Sequence, residues 1–204
     1  MSRNDSGVVY YGKVRTGKRV RIWPPAMIGF PLYDFDKAAK VAKVTTIDEG
    51  TEILPFTMIC QGAQIGADVG IDEYSRIGCN TLIGDGSRVV YGASIHDNVV
   101  IGKKSIVGGF CCDCSRIGNR TTMFGDLVHK YPRHAIDDWD NMQFPCKPSP
   151  HIGDDVIIGF NAIVVGNVRV ANRAFVGAGV IVTRNVPQNT RLVRRSETVS
   201  SPIR

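Results

Sequence analysis

The sequence predicts an all-β protein built as a parallel β-helix, in which short strands stack into a prism. The first observation is a period of six, because every sixth residue from Ile47 to Val107 is a branched aliphatic. The second is that the residue four places after each of these, from Thr51 to Cys111, is never larger than Val. A period of six fits neither an α-helix nor plain strand alternation, and it is typical of a β-helix whose coils consist of several short strands.

Three hexads account for one triangular coil. Alternate side chains of a strand point to opposite faces, so an aliphatic and the small residue four places later both point inward. Stacking at the strand spacing of about 4.8 Å places each aliphatic over the one a coil earlier. One expected column contains Ile47, Ile65, Ile83 and Ile101. Glycine often follows the aliphatic, as at Gly66, which indicates a tight corner.

The same frame is interrupted and then returns. Its later aliphatics are Ile152, Ile158, Val164, Val170, Val176 and Val182. Ile117 begins another hexad but lies ten residues after Val107, so we expect a shortened or bulged turn near residues 110–114. No hexad can be placed from Leu127 to His151, and we interpret this stretch as a loop that leaves the prism.

The expected organisation is one elongated domain with two flanking segments. A chain of 204 residues that is 43% hydrophobic is long enough to bury a sizeable core. We expect an irregular N-terminal cap over residues 1–46, with a short helix over 36–43, because the open end of a β-helix exposes strand edges. The β-helix domain then covers 47–193, with the extruded loop at 127–151, and a basic tail covers 194–204.

Composition narrows the function classes. The net charge is +6, but no basic-plus-aromatic platform or helix-turn-helix pattern accompanies it, so a nucleic-acid partner is not favoured. No apolar run is long enough for a membrane span and no apolar leader is present, so we expect a cytoplasmic protein without a membrane partner. Six cysteines at this density suit a reducing compartment, and the Cys111-Cys112-x-Cys114 cluster lacks a second pair, so no metal is expected.

These features together resemble the hexapeptide-repeat acyltransferases with a left-handed β-helix, over roughly residues 47–193. Within that superfamily, residues 107–111, 123–131 and 151–159 are similar to the xenobiotic acetyltransferase branch. That branch acetylates antibiotics such as chloramphenicol, alongside relatives that acetylate saccharides. The resemblance implies a left-handed coil, acetyl-CoA as the acyl donor, a small-molecule acceptor, and a homotrimer whose cofactor lies in the cleft between two subunits.

The resemblance places the catalytic histidine of the family at His129, where the chain leaves the prism. A neutral imidazole removes the proton of an acceptor hydroxyl as it attacks the thioester, which contributes about 10²–10⁴ in rate. No covalent enzyme intermediate is needed. His134 is the weaker candidate for this role. The residues expected to hold the acceptor or orient the base are Asp126, Tyr131, His134, Trp139 and Phe144.

The resemblance also implies a cofactor site in the C-terminal coils. The corresponding residues are Gly159, Asn161, Ala162, Gly177, Ala178 and Gly179, with Thr183 and Arg184 near the cofactor phosphates. A backbone amide among the glycines is expected to stabilise the thioester oxyanion. The segment 191–196 departs from the Gly-x-Pro-Ala-Lys stretch of the family, and the Trp-rich helical tail is absent. The phosphate contacts and the acceptor are therefore open.

Two other classes remain as alternatives. A γ-type carbonic anhydrase on the same prism needs three histidines at a metal between subunits, and His96, His129 and His134 supply three imidazoles. A noncatalytic hexapeptide-repeat scaffold is the third class, because repeats specify a shape and not an activity. Nothing in the sequence identifies the acceptor, the acyl group, or oxygen rather than nitrogen attack.

Overall fold

The computed structural model describes residues 7–31, 44–130 and 149–194, and every helix or strand within these ranges is a β-strand. The first thirteen are β1 (Val8–Tyr10), β2 (Val14–Thr16), β3 (Arg21–Ile22), β4 (Ala26–Phe30), β5 (Thr45–Ile47), β6 (Glu52–Ile53), β7 (Met58–Cys60), β8 (Gln64–Ile65), β9 (Gly70–Ile71), β10 (Arg76–Ile77), β11 (Leu82–Ile83), β12 (Arg88–Val89) and β13 (Ser94–Ile95). The others are β14 (Val100–Ile101), β15 (Ile106–Val107), β16 (Phe110–Cys111), β17 (Arg116–Ile117), β18 (Thr122–Met123), β19 (Asp126–Val128), β20 (His151–Ile152), β21 (Ile157–Ile158), β22 (Ile163–Val165), β23 (Arg169–Val170), β24 (Phe175–Val176), β25 (Ile181–Val182) and β26 (Arg191–Leu192).

The strands form three parallel sheets that the chain visits in turn. Sheet A has the order β1-β4-β7-β10-β13-β16-β19-β22-β25, sheet B β2-β5-β8-β11-β14-β17-β20-β23, and sheet C β3-β6-β9-β12-β15-β18-β21-β24-β26. An isolated bridge from Val170 to Val186 completes sheet B in the ninth coil. We call the turns between sheets the A–B, B–C and C–A corners. The predicted prism of three-strand coils is confirmed.

The core consists of one column of aliphatic side chains from each sheet. Ile47 pairs with Ile65, Ile65 with Ile83, and Ile83 with Ile101, which is the column expected from the sequence. All of these side chains are buried, and so are the small residues four places after them. The six-residue period therefore arises because each hexad has two positions that point inward, the aliphatic and the small residue four places after it.

Buried hydroxyl groups at the small positions are satisfied by the neighbouring coil. Thr51 Oγ1 donates to the Gly66 carbonyl at 2.8 Å and accepts the N–H of Val69 at 3.1 Å. Equivalent pairs of bonds are made by Ser87, Ser105 and Thr121. A buried hydroxyl without such partners costs free energy, so this ladder explains why Thr and Ser are tolerated inside the prism.

The glycines that follow the aliphatics are required by close approach of the next coil. A Cβ on Gly84 would lie 2.7 Å from the backbone nitrogen of Lys103, and one on Gly102 would lie 2.6 Å from the Gly118 carbonyl carbon. Neither glycine has a positive φ; the left-handed conformation falls instead on other corner residues such as Asp68 and Asn98. Steric exclusion therefore selects these glycines.

Residues 8–30 are more regular than the expected irregular cap. Their column positions lie six residues apart, at Tyr10, Thr16, Ile22 and Ile28. These strands extend all three sheets beyond Ile47 by parallel pairing. Tyr10 and Thr16 belong to the first described coil, and among the described strands none pairs on their outer side, so the need for a branched aliphatic is relaxed. The helix expected over 36–43 lies outside the described residues.

Two C–A corners are shorter than the others. Cys111 pairs with Ile95 and with Leu127, so it occupies the aliphatic column although it lies only four residues after Val107. A shortened turn is therefore present as expected, but it lies at residues 108–110, which meet the expected range of 110–114 only at its first residue. A second one follows between Met123 and Leu127, which the sequence did not reveal. Among the described residues no helix has the length and hydropathy needed to cross a membrane.

Candidate functional site

His129 lies at the A–B corner, directly after β19, close to the point where the described chain stops at residue 130. Its side chain is 10% exposed. Asp113 occupies the same corner one coil earlier and Asp97 two coils earlier, because β13, β16 and β19 are neighbours in sheet A. The stacking of coils therefore brings an imidazole and two carboxylates to one edge of the prism.

The Asp113 carboxylate lies between two imidazoles. Its Oδ2 is 3.9 Å from Nε2 of His129, and its Oδ1 is 3.8 Å from Nδ1 of His96. The same Oδ1 accepts the backbone N–H of Asp97 at 2.9 Å, which fixes the carboxylate. A separation of 3.9 Å is an ion-pair distance and is too long for a hydrogen bond. The carboxylate thus acts on His129 through its charge.

His96 and Asp97 are both shifted by partial burial. Burial lowers the pKa of His96, the Arg76 guanidinium lowers that pKa further, and Asp113 opposes the change. Burial raises the pKa of Asp97, and the nearby Asp113 carboxylate adds to it. The His96 ring also packs against Phe110, with the ring centroids 4.6 Å apart. The neutral form of His96 is therefore favoured beside the site.

The expected acceptor residues fall into two groups. Asp126 lies on the outer face of β19, and its Oδ1 accepts the N–H of Phe110 at 2.8 Å. This bond stabilises the shortened corner, so Asp126 has a structural role within the fold. Asp126 also begins β19, the strand that ends beside His129. The residues Tyr131, His134, Trp139 and Phe144 lie outside the described residues.

The expected cofactor residues lie at two corners. Gly159, Asn161, Gly177, Ala178 and Gly179 form a contiguous patch at the C–A corner, where the N–H of Gly179 donates to the Phe160 carbonyl at 2.9 Å. Thr183 and Arg184 are exposed at the A–B corner, the corner that carries His129. Within a single copy, Thr183 and Arg184 therefore lie at the same corner as His129. The glycine-rich patch lies at the opposite end of the strands of sheet A.

The expectation that Ala162 contacts a cofactor stays a prediction. Ala162 is fully buried and faces the prism interior. Its N–H donates to the Gly159 carbonyl, and its carbonyl accepts the N–H of Asp126. Both backbone groups therefore make bonds within the coil, and a single copy leaves Ala162 buried.

The described cysteines are mostly buried thiols. Burial raises the pKa of Cys111 and of Cys112, which disfavours the thiolate that a metal needs. Cys114 is disulfide-bonded, which differs from the set of free thiols that a reducing compartment suggests. Within residues 7–31, 44–130 and 149–194 there is no group of three or more His, Cys, Asp or Glu that could hold a metal ion.

Asp113 was not among the residues that the sequence pattern indicated. It precedes His129 by sixteen residues and follows Asp97 by sixteen, whereas a regular coil has eighteen. Each shortened C–A corner removes two residues from its coil. A prediction that assumes eighteen residues in every coil therefore fails to place these side chains above one another. A spacing of sixteen through the interruption is the signal that locates them on one edge.

Comparisons with known proteins agree with the repeat. The family described as bacterial transferase hexapeptide (six repeats) matches residues 149–184. The bifunctional protein GlmU of Acinetobacter baylyi is 29% identical over 153 residues, which cover 75% of this chain and 28% of that protein. The GlmU of a Cyanothece species is 30% identical over 169 residues, covering 78% of this chain and 36% of that protein. The chain thus spans about a third of the length of these relatives.

A solved structure shows the same architecture. LpxA from Acinetobacter baumannii superimposes with a TM-score of 0.53 at 16% identity, over 93% of this chain and 70% of that one. At this identity the likeness shows the fold alone, and it confirms the left-handed parallel β-helix. The narrower resemblance to the xenobiotic branch stays a prediction.

Proposed function

We propose that this chain, which belongs to the hexapeptide-repeat acyltransferase superfamily, moves an acetyl group from acetyl-CoA to a hydroxyl of a small acceptor such as a saccharide. The observation that supports this most is the position of His129, little exposed at the edge of the prism and 3.9 Å from the Asp113 carboxylate. A hydroxyl is favoured over an amine because a neutral hydroxyl is a weak nucleophile unless a base takes its proton, whereas a neutral amine is nucleophilic enough to attack a thioester without that help.

His129 is the proposed general base. Its imidazole takes the acceptor proton while the acceptor oxygen attacks the thioester carbon, and the resulting imidazolium returns a proton as the thiol of coenzyme A leaves. The Asp113 carboxylate stabilises the positive charge that develops on the ring, as an orienting carboxylate does beside a catalytic histidine. Asp113 is thus a positioning residue.

The glycine-rich patch suits the extended arm of coenzyme A. Ala178 is exposed, and a Cβ built on Gly179 would meet no atom within 4 Å, so the backbone there is accessible. This patch and His129 lie at opposite ends of sheet A. We therefore propose that the site forms between copies, with His129 of one facing the patch of its neighbour in a homotrimer. A cytoplasmic location remains part of the proposal.

The test is the release of free thiol from acetyl-CoA across a panel of hydroxylated acceptors. His129→Ala should lower turnover at least about a hundredfold without changing the melting temperature. Asp113→Asn should lower kcat about tenfold and leave the KM for acetyl-CoA unchanged, because it weakens stabilisation of the imidazolium and not binding. Leu82→Ala, on the outer face of sheet B in the regular coils, is the control and should keep the wild-type rate. An unchanged rate in His129→Ala would reject the assignment.

The two alternatives have their own signatures. Calorimetry with coenzyme A should show binding if the protein is a transferase. Stoichiometric zinc in the purified protein, without such binding, would favour the γ-type carbonic anhydrase. Neither metal nor coenzyme A binding would favour the noncatalytic scaffold.

A further inference from the structure

Three basic side chains form a column on the outer face of sheet B. Arg116 on β17 pairs in register with His151 on β20, and His151 pairs in register with Arg169 on β23. Neighbouring strands are about 4.8 Å apart, so the column extends roughly 10 Å along the prism. The stacking of coils therefore places three side chains able to carry positive charge next to one another.

The column borders a groove of about 400 Å³. Gly153 and Ala171 are part of its lining, and Asn172 and Gln188 line it as well. Small residues follow the aliphatics along this groove, and a Cβ on Gly153 would lie 2.3 Å from Oδ1 of Asn172, so no larger side chain fits at that position. The volume lies within the range of small-molecule sites, which begins near 300 Å³.

Within the described ranges of the chain, no acid forms an ion pair with the two arginines of this column. Some arginines elsewhere on the prism are paired with acids, such as Arg88 with Asp72 at 3.0 Å and Arg120 with Asp155 at 2.7 Å.

His151 responds to this environment. Burial lowers the pKa of His151, and the two guanidinium groups of the column lower it further. Bringing a proton onto this ring next to two cations is unfavourable without a counter-charge. A ligand of opposite charge would remove that penalty and also gain a third donor.

We infer that this groove binds the phosphate group of a phosphorylated small molecule. Two guanidinium groups offer forked donors that match phosphate oxygens. The imidazole between them donates a further hydrogen bond. The groove also has polar side chains beyond the cations, at Asn172 and Gln188, which suits a ligand larger than a bare phosphate.

The groove lies around one corner from the candidate base. Arg116 begins β17 three residues after Asp113, across the A–B corner, and His151 belongs to the same coil as His129. If the proposed function is correct, the phosphate belongs to the acyl donor or to the acceptor. The binding site itself is distinct from Thr183 and Arg184, the positions that resemblance to the family suggests for phosphate.

The test uses inorganic pyrophosphate as the probe, measured by calorimetry on the full chain at low ionic strength. The double variant Arg116→Gln/Arg169→Gln should bind it at least about tenfold more weakly than wild type. Both side chains are exposed, so the fold should survive, and the melting temperature checks this. Lys104→Gln removes a charge from the exposed B–C corner and should leave pyrophosphate binding unchanged. Equal affinity in wild type and the double variant, or no binding to wild type, would overturn the inference.

A second pair of titrations identifies the source of the phosphate. If the double variant loses affinity for coenzyme A but not for pantetheine, which has no phosphate, the groove holds the donor. If it loses affinity for pyrophosphate while coenzyme A binds normally, the groove holds the phosphate of the acceptor. Neither titration requires acyl transfer, so a failure of the proposed function leaves the result readable.

Discussion

The coils from β7 to β15 and those from β16 to β24 share one core but differ in their corners. In the first group the hexads are unbroken. Aromatic rings stack along the C–A corner in both groups, Phe56 on Tyr74 at 4.8 Å and Phe124 on Phe160 at 4.7 Å. In the second group two C–A corners are shortened, and the A–B corner carries His129 and Asp113. The chemistry-bearing side chains lie where the repeat is broken.

The reason for this difference is geometric. A regular hexad places every corner side chain directly over the one below, which builds a rigid prism with uniform edges. A shortened corner changes the residue count of a coil without disturbing its inward column, as Cys111 shows by pairing with Ile95 and Leu127. Shortened corners thus change which side chains lie next to one another on the surface, while the inward column of the core keeps its register.

The largest expected effect distinguishes the two groups by their cores. Ile77→Ala, in the regular coils, should lower the free energy of unfolding by about 2–5 kcal/mol, because it removes a fully buried side chain and leaves a cavity. Cys111→Ala, in the same column at a shortened corner, should cost only about 1 kcal/mol because it removes a single heavy atom. Denaturant unfolding measures both. If the two variants lost the same free energy of unfolding, the side chains of the two regions would not be packed in the same way.

A smaller effect concerns the shortened corner itself. Asp126→Ala leaves the N–H of Phe110 without its acceptor, and this should cost about 1–3 kcal/mol. Asp126→Asn keeps an oxygen in place and should retain most of the stability. Thermal unfolding of the two variants is the measurement. If Asp126→Asn is as unstable as Asp126→Ala, the carboxylate does not act through this hydrogen bond.

The smallest effect is a pH dependence. The lowered pKa of His96 means that the unfolded chain takes up a proton near pH 6.5, while the folded chain resists it. Stability should therefore fall as the pH is lowered from about 7 through 6.5 until the folded-state pKa is passed. Asp97, whose pKa is raised, acts with the opposite sign at lower pH. His96→Asn should flatten the slope above about pH 5.5, and an unchanged slope would exclude His96 as its source.

The sequence was sufficient for the prism because its inward positions are constrained twice, by an aliphatic and by a small residue in each hexad. It was insufficient at residues 8–30, where Tyr10 and Thr16 occupy column positions of the end coil and lack the aliphatic signature. The sequence was also insufficient near Met123. The second shortened corner follows this residue, and no change in the residue types marks it. End coils and shortened turns relax the packing rule on which the prediction depends.

The candidate site was predictable only in part. His129 was identified by resemblance, whereas Asp113 and the Arg116–His151–Arg169 column depend on which residues the coils place side by side. Such neighbours are separated by sixteen, thirty-five or eighteen residues, because shortened corners and the segment between β19 and β20 change the count. A pattern with a fixed period cannot show contacts whose separation varies in this way.

The most direct test of a site shared between copies is complementation by two inactive variants. His129→Ala removes the base, and Ala178→Trp fills the exposed patch proposed for the cofactor arm. Each variant alone should release little thiol from acetyl-CoA, whereas equal co-expression of the two should restore about a quarter of the wild-type rate, since about a quarter of randomly formed interfaces pair an intact base with an intact patch. A rate that stays at the level of the separate variants would contradict a site formed between neighbours.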